Sequence, residues 1–118
     1  MLLQKRSLKK KWHPGKYTFP VAGTVANETY KACMHREVKE AFNKSLKFKK
    51  LFDYKHFDKV DKAFKRVFMT EIDCNDIDLN SDYANSYRWI TRKKLEAELE
   101  MNPQKYAPPF VTGMQIFP

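Results

Sequence analysis

With only three glycines in 118 residues, the sequence has no material for a Gly-rich phosphate-cradling loop of the usual form. Its two cysteines, Cys33 and Cys74, form no C-x-x-C pair and imply no disulfide framework. A reducing compartment follows as the expectation, with Cys33 a small core residue among apolar helical positions. The three histidines, His13, His35 and His56, lack metal-ligand spacing among themselves or with the cysteines. No apolar run approaches the length of a transmembrane helix, and no apolar secretory segment is present. No Ser/His/Asp or Cys/His signature stands out. These absences nominate no catalytic, cofactor-binding or metal-binding residue, and the chain is expected not to be an enzyme.

Positive charge is what the chain does have. The net charge is +9 and the pI about 9.6, a balance that favours anionic partners. Residues 1–27 carry six Lys or Arg and no acid, and acid is concentrated instead in the block 71–82. Within that block Asp76, Asp78 and Asn80 imitate a calcium loop. Ser81 stands where such a loop needs glycine and Arg88 where it needs a closing glutamate, so calcium is set aside. A loop that caps the next helix is expected there.

The stretch from Asn27 to Met69 contains no Gly or Pro and carries 12 Lys or Arg against 6 Asp or Glu. At helical spacing, Tyr30, Met34, Val38, Ala41, Phe48 and Phe52 fall on one stripe. Phe57, Val60, Phe64, Val67 and Phe68 share another, rotated by more than 90° from the first. This phase shift predicts two helices joined near Asp53-Tyr54, with Asn27 and Asp53 as N-caps. A further helix is expected over 82–101, capped by Ser81 or Asp82, with a possible break at Thr91 and a stop at Asn102-Pro103. The expected fold is therefore all-α: a small helical hairpin plus a third helical segment, with extended N- and C-terminal arms. In domain terms, 1–26 is a basic arm, 27–101 a small helical domain and 102–118 an extended docking tail.

Both ends look incomplete alone. Pro14 and Pro20 bias the first toward extended backbone, punctuated by Trp12, Tyr17 and Phe19. The last segment is apolar without a visible partner. Aromatics make up 14% of the chain, more than so small a helical core can easily hide. Partner contacts are accordingly expected at Lys9, Lys10, Lys11, Trp12, Tyr17 and Phe19, at Trp89, and at Pro109, Phe110, Ile116 and Phe117.

Residues Tyr30-Lys31-Ala32-Cys33-Met34-His35-Arg36 resemble the Leu-Tyr-Arg signature of small mitochondrial helical proteins that serve respiratory complexes as accessory or assembly subunits. Thr29 replaces the leucine, Lys31 replaces the arginine, and Arg36 lies one place beyond the second arginine. The resemblance tilts the expectation toward a non-catalytic structural subunit of a mitochondrial respiratory-chain complex, on the matrix side or peripheral to the inner membrane. Its partners would be other protein subunits and anionic lipid head groups. The acid-free N-terminus suits a targeting segment. The alternative is an RNA-contacting protein of the mitochondrial ribosome, with the basic arm neutralising phosphates.

Overall fold

The computed structural model describes residues 1–59, 62–73 and 84–117. Leu2 and Leu3 are both buried, and because successive side chains of a strand point to opposite faces, they enter two different parts of the core. They lie on β1 (Leu2–Arg6), the middle strand of an antiparallel sheet. Strand β2 (Tyr17–Thr18) pairs on one side, with Lys5 opposite Tyr17. On the other side lies β5 (Ala84–Trp89), with Leu2 opposite Trp89. The chain's first residue is tied in as well: the Met1 ammonium donates to the Ile90 carbonyl at 2.9 Å, and the Ile90 amide donates to the Met1 carbonyl at 2.8 Å.

Helix α1 (Tyr30–Phe42) covers one face of this sheet. Its Val38, Ala41 and Phe42 form a buried cluster with Leu2, flanked by Met34, Phe48 and Tyr87. Thr29 caps it, its Oγ1 accepting from the Ala32 amide at 3.0 Å. Asn43 ends it in the left-handed region, φ 53°, with its amide on the Lys39 carbonyl.

The opposite face is covered by α2 (Arg92–Met101) and α3 (Pro108–Ile116), linked through a 3-10 turn at Pro103–Lys105. Here Leu3 packs with Ile90, Leu95, Tyr106, Ala107 and Phe110. Thr91 caps α2 by accepting from the Lys94 amide.

The second sheet is a hairpin of β3 (Lys49–Phe57) and β4 (Lys62–Met69). Cross-strand chemistry holds its register. Asp53 lies opposite Arg66 and accepts from its Nε at 2.8 Å, and the Phe48 and Phe68 rings meet edge to face at 5.2 Å. One face of β3 rests on α3. The Tyr54 hydroxyl donates to the Pro109 carbonyl at 2.8 Å, and His56 Nδ1 lies 2.7 Å from Thr112 Oγ1. Gly113 allows this approach, since a Cβ there would sit 3.0 Å from the Tyr54 ring.

The all-α expectation is thus corrected to a mixed fold of antiparallel sheets and helices. Lys49–Phe57 and Lys62–Met69 pair as a β-hairpin and form no second helix, Ala84–Trp89 of the helix expected over 82–101 is strand β5, and Thr29 rather than Asn27 caps the first helix. Phe64 and Phe68 are four residues apart, a spacing that puts side chains on one face of either a helix or a strand. The basic N-terminal segment is no free arm: it supplies the central strand. Nor is the C-terminal segment extended, since α3 carries the fully buried Phe110. Expectations for Val60, Cys74 and the acidic stretch 74–82, with its calcium-like spacing and helix cap, lie outside the described residues.

Candidate functional site

Glu37 is a carboxylate on the inward stripe of α1, flanked one helical turn away on either side by buried Cys33 and Ala41. Its side chain keeps 11% of its exposure, and a charge so placed needs partners. Arg36 supplies one. Its Nη1 donates to Glu37 Oε1 at 2.9 Å, while Nη2 reaches Glu28 Oε1 at 2.6 Å and the Thr24 carbonyl at 3.2 Å. One guanidinium thus ties the 24–28 loop to the second turn of α1, a use of the planar fork that lysine could not reproduce. The Arg36 hydrogen bonds hold the Glu28 carboxyl below the usual carboxylate range. The same partners push the Arg36 guanidinium above its ordinary value.

Gly23 closes the arrangement from above. A Cβ on Gly23 would fall 2.3 Å from Glu37 Cδ and 2.3 Å from Oε1, so the loop crosses the carboxylate only because no side chain is there. The carboxylate is therefore held at a fixed place by backbone above and guanidinium beside. Cys33, next to this cluster, is not a candidate nucleophile. Burial, aided by the Glu28 charge, pushes its thiol up, and a thiol is a weak nucleophile.

Gly23 and Glu37 line a cleft of about 1170 Å³ between the 18–25 segment, α1 and the β3–β4 hairpin. Glu40, three residues after Glu37 and hence its neighbour on the helix surface, lines it too. Cations come from other elements: Arg6, Lys10, Lys65 and Arg66. Apolar wall is provided by Val25, Phe64, Met69 and Trp89, each at least partly open to water. A carboxylate floor, a cationic rim and an apolar wall suit an amphipathic anion.

The residues expected at partner contacts divide. Tyr17, Phe19 and Phe110 pack within the chain: Tyr17 lies 5.8 Å from the Tyr106 ring, and Phe19 meets Phe110 edge to face at 4.8 Å. Phe117 packs on Phe52, and the Pro109 carbonyl takes the Tyr54 hydrogen bond. Lys9, Lys10, Lys11 and Trp12 sit together on the β1–β2 connection, with Trp12 half exposed. Trp89 and Ile116 are also about half exposed. None of the expected contact residues joins the Glu37 cluster, although Lys10, Trp12, Phe19, Trp89, Pro109 and Phe117 line the same cleft. The cluster itself, Gly23, Glu28, Arg36, Glu37 and Glu40, lies outside the residues expected from sequence at partner contacts. The available signal was a glutamate on the apolar stripe of the first helix, where an unpaired charge is rare.

No family model matches the sequence. It is 33% identical over 117 residues to a prenyl-diphosphate phosphatase of Methanosarcina mazei, covering 97% of this chain and 69% of the relative. The fold is similar to the crystal structure of DR0079 from Deinococcus radiodurans, with a TM-score of 0.80 at 20% identity over 98% of this chain and 73% of that one. This likeness supports the mixed fold. The Methanosarcina relative is an enzyme, which overturns the expectation of a non-catalytic structural subunit, and the respiratory-chain and ribosomal roles fall with it.

Proposed function

The chain belongs to the family of this prenyl-diphosphate phosphatase, and from that membership we propose that it hydrolyses the diphosphate of a prenyl diphosphate. Water adds at phosphorus, the bridging P–O bond breaks, and the products are a prenyl monophosphate and orthophosphate. The observation that carries the reading is the Glu37 carboxylate, pinned by Arg36 beneath Gly23 in a cleft that also carries cations.

A carboxylate cannot meet a diphosphate directly without repulsion, so the floor of the cleft calls for a divalent cation between them. Among the described residues, no three His, Cys, Asp or Glu side chains gather to hold a metal by themselves. Glu37 and Glu40 fit the lesser demand of magnesium, which uses one or two carboxylates and completes its shell with water and substrate phosphates. Bound there, such an ion would neutralise phosphate charge and polarise the phosphoryl group. Arg36 fixes the orientation of Glu37 through the 2.9 Å bond. Arg6, Lys10 and Lys65 at the cleft place positive charge where the diphosphate must lie. Val25, Phe64 and Met69 offer the prenyl chain an apolar wall, which orients the molecule with its phosphates inward.

The test is incubation of the purified chain with farnesyl diphosphate and magnesium, reading orthophosphate by colour and farnesyl monophosphate by mass spectrometry. Both products are expected in equal amounts, and chelation by EDTA should stop their formation. Glu37→Gln should slow release by roughly 100-fold, at the upper end of the range usual for disturbing the support of a metal site. Absence of phosphate release by the folded chain would overturn the reading, as would full activity of a folded Glu37→Gln variant.

A further inference from the structure

The β3–β4 hairpin rests one face on α3; its other face is open to water near the turn, while farther along Arg66 lies over the Tyr30 ring of α1 at 4.6 Å. Tyr54 and His56 point to α3, and the alternation of a strand then sends Lys55 and Phe57 outward, where both are exposed. Antiparallel register puts Lys55 opposite Phe64 and Phe57 opposite Lys62. The outer face near the turn is therefore a checkerboard, with phenylalanines on one diagonal and lysines on the other. Phe57 is 55% and Phe64 71% exposed, and their rings touch edge to face with centroids 5.6 Å apart. A third exposed cation, Lys59, lies in the turn.

Charge around this face is mainly positive. Residues 44–66 hold nine Lys or Arg against three Asp. Asp53 is engaged by Arg66 and Lys50, and Asp58 by His56 Nε2 at 2.7 Å, so two of these carboxylates are already matched within the hairpin.

We propose that this hairpin face docks on an anionic lipid bilayer. Phe57 and Phe64 enter the boundary between head groups and acyl chains, while Lys55, Lys59 and Lys62 meet the lipid phosphates. Two side chains are too few for the core of a protein–protein interface. Their edge-to-face contact also covers ring surface that a base would need for stacking. Phe64 lines the cleft as well, so docking brings the cleft mouth to the membrane. That last link rests on the proposed phosphatase reading, since a prenyl chain partitions into bilayers; the docking itself does not.

The test is sedimentation of the full chain, without substrate, with vesicles of phosphatidylcholine alone or mixed with phosphatidylglycerol. Binding is expected with the anionic vesicles and should weaken as salt is raised. Phe57→Ser with Phe64→Ser should lower the bound fraction by about tenfold while circular dichroism stays unchanged, because both positions face water. Lys55→Gln with Lys62→Gln should remove most of the preference for the anionic lipid. Leu8→Ser, at a site 74% exposed on the β1–β2 connection, should bind as the unaltered chain does. Equal sedimentation of the double phenylalanine variant would overturn the proposal. So would absence of anionic-vesicle binding, or retention of the chain by single-stranded RNA but not by vesicles. Because no substrate is present, failure of the phosphatase reading would leave these results standing.

Discussion

Glu37 fills the space that a side chain on Gly23 would need, with Cδ and Oε1 each 2.3 Å from the missing Cβ. The loop and the carboxylate are therefore one unit. Gly23→Ala should displace Glu37 or lift the loop, and lower phosphate release by at least about tenfold, since small misplacements of a positioned group have large effects on rate. Gly23 is exposed, so unfolding by urea should occur near the midpoint of the unaltered chain. Wild-type turnover in this variant would separate the loop from the chemistry.

Arg36 acts by geometry as much as by charge. Arg36→Lys keeps the cation but cannot span Glu28, Glu37 and the Thr24 carbonyl together. The expected result is a fall in kcat with a smaller change in KM, because Glu37 remains but is no longer held. A fall in KM alone, or no change in either constant, would contradict this role.

Phe110 has no exposure and stacks on Tyr106 at 5.6 Å. Phe110→Ala should cost about 3–5 kcal/mol, the usual range for removing a buried ring. Denaturation in urea would check it. A loss under about 1 kcal/mol would mean that the C-terminal helix is not part of the cooperative core.

The Asp53 carboxyl is lowered to about 2 by its hydrogen bonds with Arg66 and Lys50. A folded-state value below the ordinary 3.8 means the ionised form favours the folded chain. That contribution is complete above the ordinary value and is lost as pH falls from there through about 2. Stability measured against acid should therefore drop more steeply for the unaltered chain than for Asp53→Asn in this window. Parallel curves would show that the pair contributes nothing to the fold, the common outcome for exposed pairs.

Tyr87 presents the reverse case. Among the described residues its buried hydroxyl has no hydrogen-bond partner, and burial pushes its pKa up to about 12. Tyr87→Phe should be neutral or stabilising by up to about 1 kcal/mol, because it removes a desolvated donor and keeps the ring against Phe42. A clear destabilisation would show that the hydroxyl is paired in solution.

The local signals in the chain were readable. Tyr30, Met34, Val38 and Ala41 mark one face of α1, and the break at Thr91 and stop at Asn102-Pro103 bound α2. The β-hairpin was misread because phenylalanines four apart satisfy both periods, and nothing nearby broke the tie. The site was missed for a related reason. Glu28, Arg36 and Glu37 are ordinary surface residues until the loop folds back and Gly23 lies over the carboxylate.

Sequence alone marked the apolar stripe of α1 and the stop of α2, because stripes and stop signals act within a few residues, but not where either helix begins: Thr29 and Thr91, not Asn27 and Ser81 or Asp82, are the caps. It also determined the cationic character of the hairpin. Tertiary structure decided that Leu2–Arg6 is a central strand, since one of its two partners is β5, with Leu2 opposite Trp89 and Arg6 opposite Ala84. It decided too that Glu37 is a held carboxylate rather than a solvated one. A strand's partners and a charge's burial are properties of what the rest of the chain brings close, and no local pattern encodes them.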